Sequence, residues 1–362
     1  MIVTHRVMPE PFNLAKRVLI VAEIGNNHEG SFDTAQRMIA SAAKAGADAV
    51  KFQTIVPEHL VHGADSARLA RLRGFQFSYA QFEALARTAQ DSGVMFFSTP
   101  FDIQSAHFLN SIQDVFKIAS GDNNFVQLIR TVAGFVKPMF VSTGLADLGL
   151  LQRIYSTTHS IWQQKQAKPA FAFLHCVCSY PAPPAQSNLG AIKTLQVHFP
   201  GATVGYSDHT LGIQAATFAV AAGARIIEKH FTLDKNYSEF RDHQLSADPQ
   251  DFQQLVAGIR LVEELQGAGE ISPQPCEEVN RTPVRRSIAA ASDLAAGTML
   301  TAAHITWVRP GTGIPPGEVS AVLGRTITRS LAQGEMIVHK DLYLPEKNDD
   351  VTERLEHDNI AT

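Results

Sequence analysis

From residue 18 to residue 231 the chain repeats one pattern. Short, almost wholly apolar runs alternate with longer stretches in which apolar residues recur every three or four positions. The runs cover residues 18–23, 49–53, 95–99, 116–120, 139–143, 172–176, 203–208 and 225–231. Runs this short and this apolar read as parallel strands buried on both faces, and the stretches between them read as helices. After the last run, Phe252, Leu255, Val256, Ile259, Val262 and Leu265 share one face of a helix that opens at Asp248-Pro249, with aspartate as cap and proline in the first turn. Ala45-Gly46-Ala47 and Ala222-Gly223-Ala224 both read as helix exits in which glycine takes the left-handed position before a strand.

Eight strands, each followed by a helix, predict an α/β chain folded as a (β/α)8 TIM barrel over residues 1–267. The competing architecture is a doubly wound open sheet, but no G-x-G-x-x-G follows the first strand. The pattern changes after Gly267. Residues 268–283 hold Pro273, Pro275 and Pro283 among polar residues and read as a linker. Residues 284–346 form short, turn-rich segments, including 286–289, 297–300, 305–308 and 334–338, expected to make a small second domain that packs on something larger. Residues 347–362 read as a polar tail.

Composition narrows the class. Hydrophobic residues make up 45% of the 362 and charged ones 18%, enough for a large core. The formal net charge is −4, which argues against a protein held to nucleic acid by phosphate contacts. No apolar run is long enough to span a bilayer, and the first residues, Met1 to Val7, lack the apolar stretch of a signal peptide. Three cysteines do not make a disulfide framework. The expectation is a soluble cytoplasmic enzyme with no nucleic-acid or membrane partner.

Catalytic groups of a barrel sit at the carboxyl ends of its strands, and unusual polar residues fall there. The first strand runs into Glu23-Ile24-Gly25-Asn26-Asn27-His28-Glu29, and the second carries Lys51 and Gln53. The third ends in Ser98-Thr99-Pro100, and the fourth holds Lys117 and Ser120-Gly121-Asp122. The fifth ends in Ser142-Thr143-Gly144, the sixth leads to Cys178-Ser179-Tyr180-Pro181, and the seventh to Ser207-Asp208-His209. The eighth contains Glu228, Lys229 and His230. Singly, each has a plain structural reading. A strand lysine usually snorkels at an edge, hydroxyls beside proline or glycine usually make turns, and a single histidine usually packs. Cys176-x-Cys178 is not read as a metal knuckle, on the expectation that the two side chains face opposite sides. Co-location carries the argument: Lys51 and Lys117 with Ser120, Ser142 and Ser207 suit a phosphate or carboxylate. Neutral imidazoles of His209 and His230, on neighbouring strands, could share a divalent metal, and Glu23 and Asp122 are acid–base candidates. The set points to an anionic substrate beside a polarised carbonyl oxygen.

At these residues the chain resembles the sialic acid synthase family (N-acetylneuraminate synthase and its relatives). The resemblance runs through Ala22-Glu23-Ile24-Gly25-Asn26-Asn27-His28-Glu29-Gly30, Val50-Lys51-Phe52-Gln53, Ser98-Thr99-Pro100-Phe101-Asp102 and Phe116-Lys117-Ile118-Ala119-Ser120-Gly121. It continues through Ser142-Thr143-Gly144, Tyr180-Pro181, Gly205-Tyr206-Ser207-Asp208-His209-Thr210 and Glu228-Lys229-His230-Phe231-Thr232. The second domain is similar to the family's antifreeze-like (SAF, β-clip) module through Arg286-Ser287-Ile288 and Arg309-Pro310-Gly311-Thr312-Gly313.

The resemblance implies condensation of phosphoenolpyruvate with an N-acyl-mannosamine-type sugar and water, giving a nine-carbon 2-keto acid and phosphate with C–O cleavage. It implies a divalent metal on His209 and His230, manganese first, with magnesium or cobalt as alternatives. Lys51, Thr99, Lys117, Ser120, Ser142 and Ser207 would hold phosphoenolpyruvate. Glu23, Gln53, Tyr180 and Asp242 would orient or deprotonate sugar and water. Arg309 would reach the N-acyl group from the partner of a domain-swapped homodimer. Three departures bear on sugar selectivity: Asp122 where the family usually has glutamate, Cys178 in place of an asparagine or serine, and the loop 236–243, where relatives often carry Pro-Gly-Pro. Two alternatives remain: another phosphoenolpyruvate-dependent ketoacid synthase using a phosphorylated aldose, and a metal-dependent lyase or non-catalytic sugar-binding barrel.

Overall fold

The computed structural model of the chain describes residues 2, 3 and 12–343, so the expected polar tail and the end of the second domain lie outside the described residues. The chain divides into two compact units between Ala268 and Gly269. In the first, eight strands form one parallel sheet: β1 (Leu19–Gly25), β2 (Ala49–Thr54), β3 (Met95–Pro100), β4 (Phe116–Ile118), β5 (Met139–Ser142), β6 (Phe171–Cys176), β7 (Thr203–Asp208) and β8 (Ile226–His230). Their order is β3-β2-β1-β8-β7-β6-β5-β4, and β8 pairs with β1 in parallel. β3 and β4 meet at the remaining seam, so the sheet closes into the expected barrel.

Side chains on a strand alternate with period two, and that alternation sorts the barrel into two cores. Ile20, Ala22, Val50, Phe52, Phe96, Val141, Phe173 and Ile227 point outward into the layer packed against the helices. Leu19, Val21, Ala49, Met95, Phe97, Phe140, Leu174 and Ile226 point inward and fill the lower barrel. Two residues further along the same inward rows stand Glu23, Lys51, Thr99, Ser142, Cys176 and Glu228. The barrel interior is therefore apolar at its amino end and polar at its carboxyl end. At Gly205 the backbone comes so close that an added Cβ would lie 2.6 Å from the Ile226 carbonyl oxygen.

Local chemistry sets the helix ends. Asp248 caps the helix Pro249–Gln266 through the Gln250 and Asp251 amides. Gly46 and Gly223 hold φ of +94° and +104° where helices turn into β2 and β8, as the sequence predicts. One expectation fails. Phe252, Leu255 and Ile259 are buried, but Leu265 is 76% exposed. An 18-residue helix is about 27 Å long while a six-residue strand spans about 20 Å, so its last turn overhangs the sheet. Among the described residues no helix is long and apolar enough to cross a membrane.

The second unit begins with exposed chain containing short helical turns, Pro275–Asn280 and Arg281–Val284, over most of the stretch expected as a linker. Its strands β9 (Ser287–Ala290) and β10 (Ile305–Val308) pair antiparallel, and isolated bridges at Met299–Thr326 and Ala289–Met336 tie in the other turn-rich segments. Ile288, Leu300, Ile314, Ile327 and Ile337 form its own small core.

Gly205→Ala should destabilise the barrel by about 1–3 kcal/mol, read as a lower urea midpoint. An unchanged midpoint would show that the β7–β8 contact has slack.

Candidate active site

The polar end of the barrel opens into a cavity of about 800 Å³. Its lining includes Glu23, Gln53, Lys51, Thr99, Lys117, Ser120, Ser142, Tyr180, Ser207, His209, His230 and Asp242, contributed by separate strand ends and the loops after them. Asp122 is not in the lining; it is half-buried beside it. Arg309 lies in the second unit, exposed, just after β10.

Strand register explains the convergence. Glu23 stands beside both Lys51 on β2 and His230 on β8, Gln53 beside Thr99, and Ser207 beside Glu228. Lys51 Nζ lies 2.8 Å from Glu23 Oε2 and 3.7 Å from Glu228 Oε1; it also donates to Thr99 Oγ1 at 3.0 Å. Lys117 Nζ, from β4 across the barrel, donates to the same Glu228 Oε1 at 3.0 Å, and Ser207 Oγ donates to it at 3.0 Å. Gln53 donates to Glu23 Oε1 at 2.9 Å and accepts from Asn26 at 3.0 Å. Both lysines are 2–3% exposed, so they do not snorkel. A buried ammonium requires a paired charge, and Glu228 supplies one to both.

These pairings set the protonation states. Burial pushes the Glu228 carboxyl up, but Lys117 and Lys51 together outweigh it and hold it at about 2. For Lys51 burial favours the neutral amine, but Glu228 and Glu23 reverse this and raise its pKa. Burial lifts Glu23 to about 6 against the pull of Lys51, and burial alone lifts Asp122 to about 6.

Sequence reasoning named Glu228 among the polar residues of the eighth strand but gave it no role, and it gave none to Arg68, Arg71 or Glu239, which also line the cavity. For Glu228 the spacing of two from His230 was the available signal, since one inward row must carry both. The structure corrects the reading of Cys176 and Cys178. Cys176 ends β6 and Cys178 follows two residues on, beyond the strand; both thiols line the cavity and interact directly. By contrast, Lys229 and Asp208 lie on the outward rows and form a buried 2.9 Å ion pair, with Lys229 also donating to the Thr210 carbonyl.

The two histidine rings have centroids 5.4 Å apart. His209 Nδ1 lies 2.8 Å from the Val177 carbonyl, which fixes Nδ1–H as the donor and leaves Nε2 as the lone-pair nitrogen. Burial lowers His209 to about 4 and, reinforced by His209 and Lys51, brings His230 well below its ordinary value. Both rings are thus neutral at pH 7, the state that binds metal. Among the described residues no group of three or more His, Cys, Asp or Glu is arranged to hold an ion. Three buried atoms in the lining have no hydrogen-bond partner among the described residues: Ser142 Oγ, Glu228 Oε2 and His230 Nδ1.

Hydroxyls and loops are fixed from behind. Gly144 N–H donates to Ser120 Oγ at 3.1 Å, and Asn123 donates to the Ser142 and Gly144 carbonyls. An added Cβ at Gly144 would meet Cys178 Sγ at 2.5 Å and Ser120 Oγ at 2.7 Å. The loop after β8 is tied to the loop after β1 through His243, which meets Thr232 Oγ1 at 2.7 Å and Glu29 Oε1 at 3.1 Å. Ser238 donates to the same Glu29 oxygen. Asp242 is held next to this junction.

Glu228→Gln should cost about 3 kcal/mol or more, because two ammoniums stay buried with one countercharge fewer. Glu228 has a depressed pKa, so its contribution is complete above the unfolded carboxylate range and is lost as pH falls through about 2. Urea titrations of both proteins from pH 7 to pH 3 should show a gap that stays constant to about pH 5 and narrows below. A gap absent at pH 7 would contradict the bridging role.

The NeuB family model matches residues 38–271, and the SAF domain model matches residues 285–342. An uncharacterized protein of Methanocaldococcus jannaschii is 40% identical over 89% of this chain and 94% of its own. N,N'-diacetyllegionaminic acid synthase of Legionella pneumophila is 36% identical, over 91% of this chain and 96% of its own. Among solved structures, N-acetylneuraminic acid synthetase from Leptospira borgpetersenii in complex with citrate superposes with a TM-score of 0.70 at 33% identity, covering 77% of this chain and 95% of that one. With this fold, this polar barrel mouth and matches across both units, the chain belongs to the NeuB family and carries a SAF domain after its barrel.

Proposed function

We propose that the protein is a transferase that condenses phosphoenolpyruvate with an N-acyl-mannosamine-type sugar and water, giving a nine-carbon 2-keto acid and phosphate. The observation that carries this reading is the floor of the cavity. Two buried lysines, four hydroxyls and three unpartnered buried polar atoms stand within one lining. Such atoms are costly to bury unless a ligand satisfies them.

In this reading Lys51, Lys117, Thr99, Ser120, Ser142 and Ser207 hold the phosphate and carboxylate of phosphoenolpyruvate by charge-assisted hydrogen bonds. The sugar lies above, with its open-chain aldehyde toward His209 and His230. Those two imidazoles would hold a divalent ion, manganese first, whose contribution is to polarise the aldehyde oxygen as a Lewis acid. The methylene carbon of phosphoenolpyruvate attacks the aldehyde carbon, water adds at the neighbouring carbon, and the C–O bond to phosphate breaks. Glu23, held by Gln53, is the group placed to take the proton of that water. Tyr180 and Asp242 orient the sugar. Asp122, expected as an acid–base group, lies outside the lining and has no step in this reading. Arg309 recognises the N-acyl group, supplied across a domain-swapped homodimer. The relative whose name specifies a diacetylated product supports an N-acylated sugar.

Phosphate release from phosphoenolpyruvate should require an N-acyl hexosamine, N-acetylmannosamine or a diacetamido-trideoxyhexose, and a divalent metal. No release with any member of that panel, or release with phosphorylated arabinose or erythrose instead, would overturn the assignment. His230→Ala should abolish turnover and metal dependence together. A base that ionises at about 6 gives a kcat/KM that rises with pH through that value, because the carboxylate is the active form. Glu23→Gln should lower turnover by roughly a hundredfold or more and flatten that limb; an unchanged limb would assign it to another group. Arg309→Ala should raise KM for the sugar while leaving KM for phosphoenolpyruvate alone.

A further inference from the structure

Nothing in the proposed reaction uses Cys176 or Cys178, yet both line the cavity. Cys176 ends β6 and is buried; Cys178, two residues on, is half-buried and meets the open space. Cys176 Sγ lies 3.7 Å from His209 Nδ1, and its thiol hydrogen-bonds to Cys178. Cys178 in turn packs with Ser120 over Gly144, close enough that a methyl group on that glycine would collide with both. Lys117 adds its positive charge to the same corner. The pair therefore joins the hydroxyl side of the floor to one of the imidazoles.

We propose that this pair is a peroxide-sensitive site, in which Cys178 is oxidised first and Cys176 closes an intrachain disulfide that shuts the anion-binding part of the cavity. The Cys178 thiolate attacks one oxygen of hydrogen peroxide, the O–O bond breaks, and hydroxide leaves to give a sulfenic acid. The Cys176 sulfur then attacks the sulfenic sulfur, the S–O bond breaks and water departs. The two thiols lose two electrons, and one peroxide becomes two waters, the second formed from the hydroxide and the released proton. The surroundings of Cys178 favour the first step. The Cys176 hydrogen bond leads, Ser120 and Lys117 assist, and together they overcome burial to bring the thiol down to about 6. The disulfide draws one sulfur off Ser120 and the other off His209, so both halves of the floor shift.

The full chain carrying Cys276→Ser, which removes the exposed third thiol, is treated with hydrogen peroxide. Free thiols are counted, and the peptide holding both remaining cysteines is weighed. The expected result is loss of both thiols, a mass lower by two hydrogens, and full reversal by dithiothreitol. Turnover of phosphoenolpyruvate should fall roughly tenfold or more and return with the thiols. Adding Cys178→Ser should leave Cys176 reduced under the same exposure and hold the ratio of treated to untreated activity near one. Two free thiols after treatment, oxygen addition in place of the disulfide, or equal inactivation of the Cys178→Ser protein would each overturn the proposal. Thiol counts and peptide masses do not depend on any sugar being turned over, so failure here is distinguishable from failure of the synthase reading.

Discussion

One carboxylate holds the upper barrel together. Glu228 Oε1 accepts from Lys117 and Ser207, with Lys51 close by. The lysines arrive from β2 and β4 and the glutamate from β8, so strands that are not neighbours in the sheet are tied through its centre. Without that charge, two ammoniums would face an interior that penalises them heavily. Glu23 completes the balance: two positive groups stand against two carboxylates when it is ionised, and one positive charge is in excess when it is protonated. Anion binding as proposed at the floor would therefore be linked to proton uptake at Glu23. The proposed base is also the group that sets the charge of the anion site.

This arrangement depends on a simple geometric rule. Several strands give their inward row to apolar residues first and to polar residues toward the carboxyl end, as in Leu19-Val21-Glu23, Ala49-Lys51-Gln53 and Ile226-Glu228-His230. The lower rows make a rigid plug that excludes water beneath the charges. The upper rows are held in place by that plug and by their own ladder partners, so the proposed site would need little further ordering on binding a substrate.

Much of this was legible in the sequence because a buried parallel strand is short and continuously apolar, and its end is marked where polar residues begin. That is why strand positions, the glycines of the helix exits and most cavity residues are where the sequence puts them. What escaped was relational. Lys51 and Lys117 look like an open anion site until Glu228 is seen between them, and that pairing joins residues 111 or more positions apart. Cys178 was assigned to the face opposite Cys176, but it lies beyond the strand's end and both thiols line the cavity. Leu265 fits the helix period perfectly well, but period says nothing about where the neighbouring strands stop. Asp122 sits in a polar cluster at a strand end, yet the 3-10 turn Ser120–Asp122 carries it away from the lining.

The most direct test is calorimetric titration of phosphoenolpyruvate, without sugar, into the native protein and into Lys117→Met, each confirmed folded by its thermal transition. The lysine floor predicts saturable binding to the native protein that weakens with added salt, and an affinity at least roughly tenfold lower in the variant. Equal affinity in the two proteins, or no saturable binding to the native one, would contradict the assignment of this cavity as the anion site.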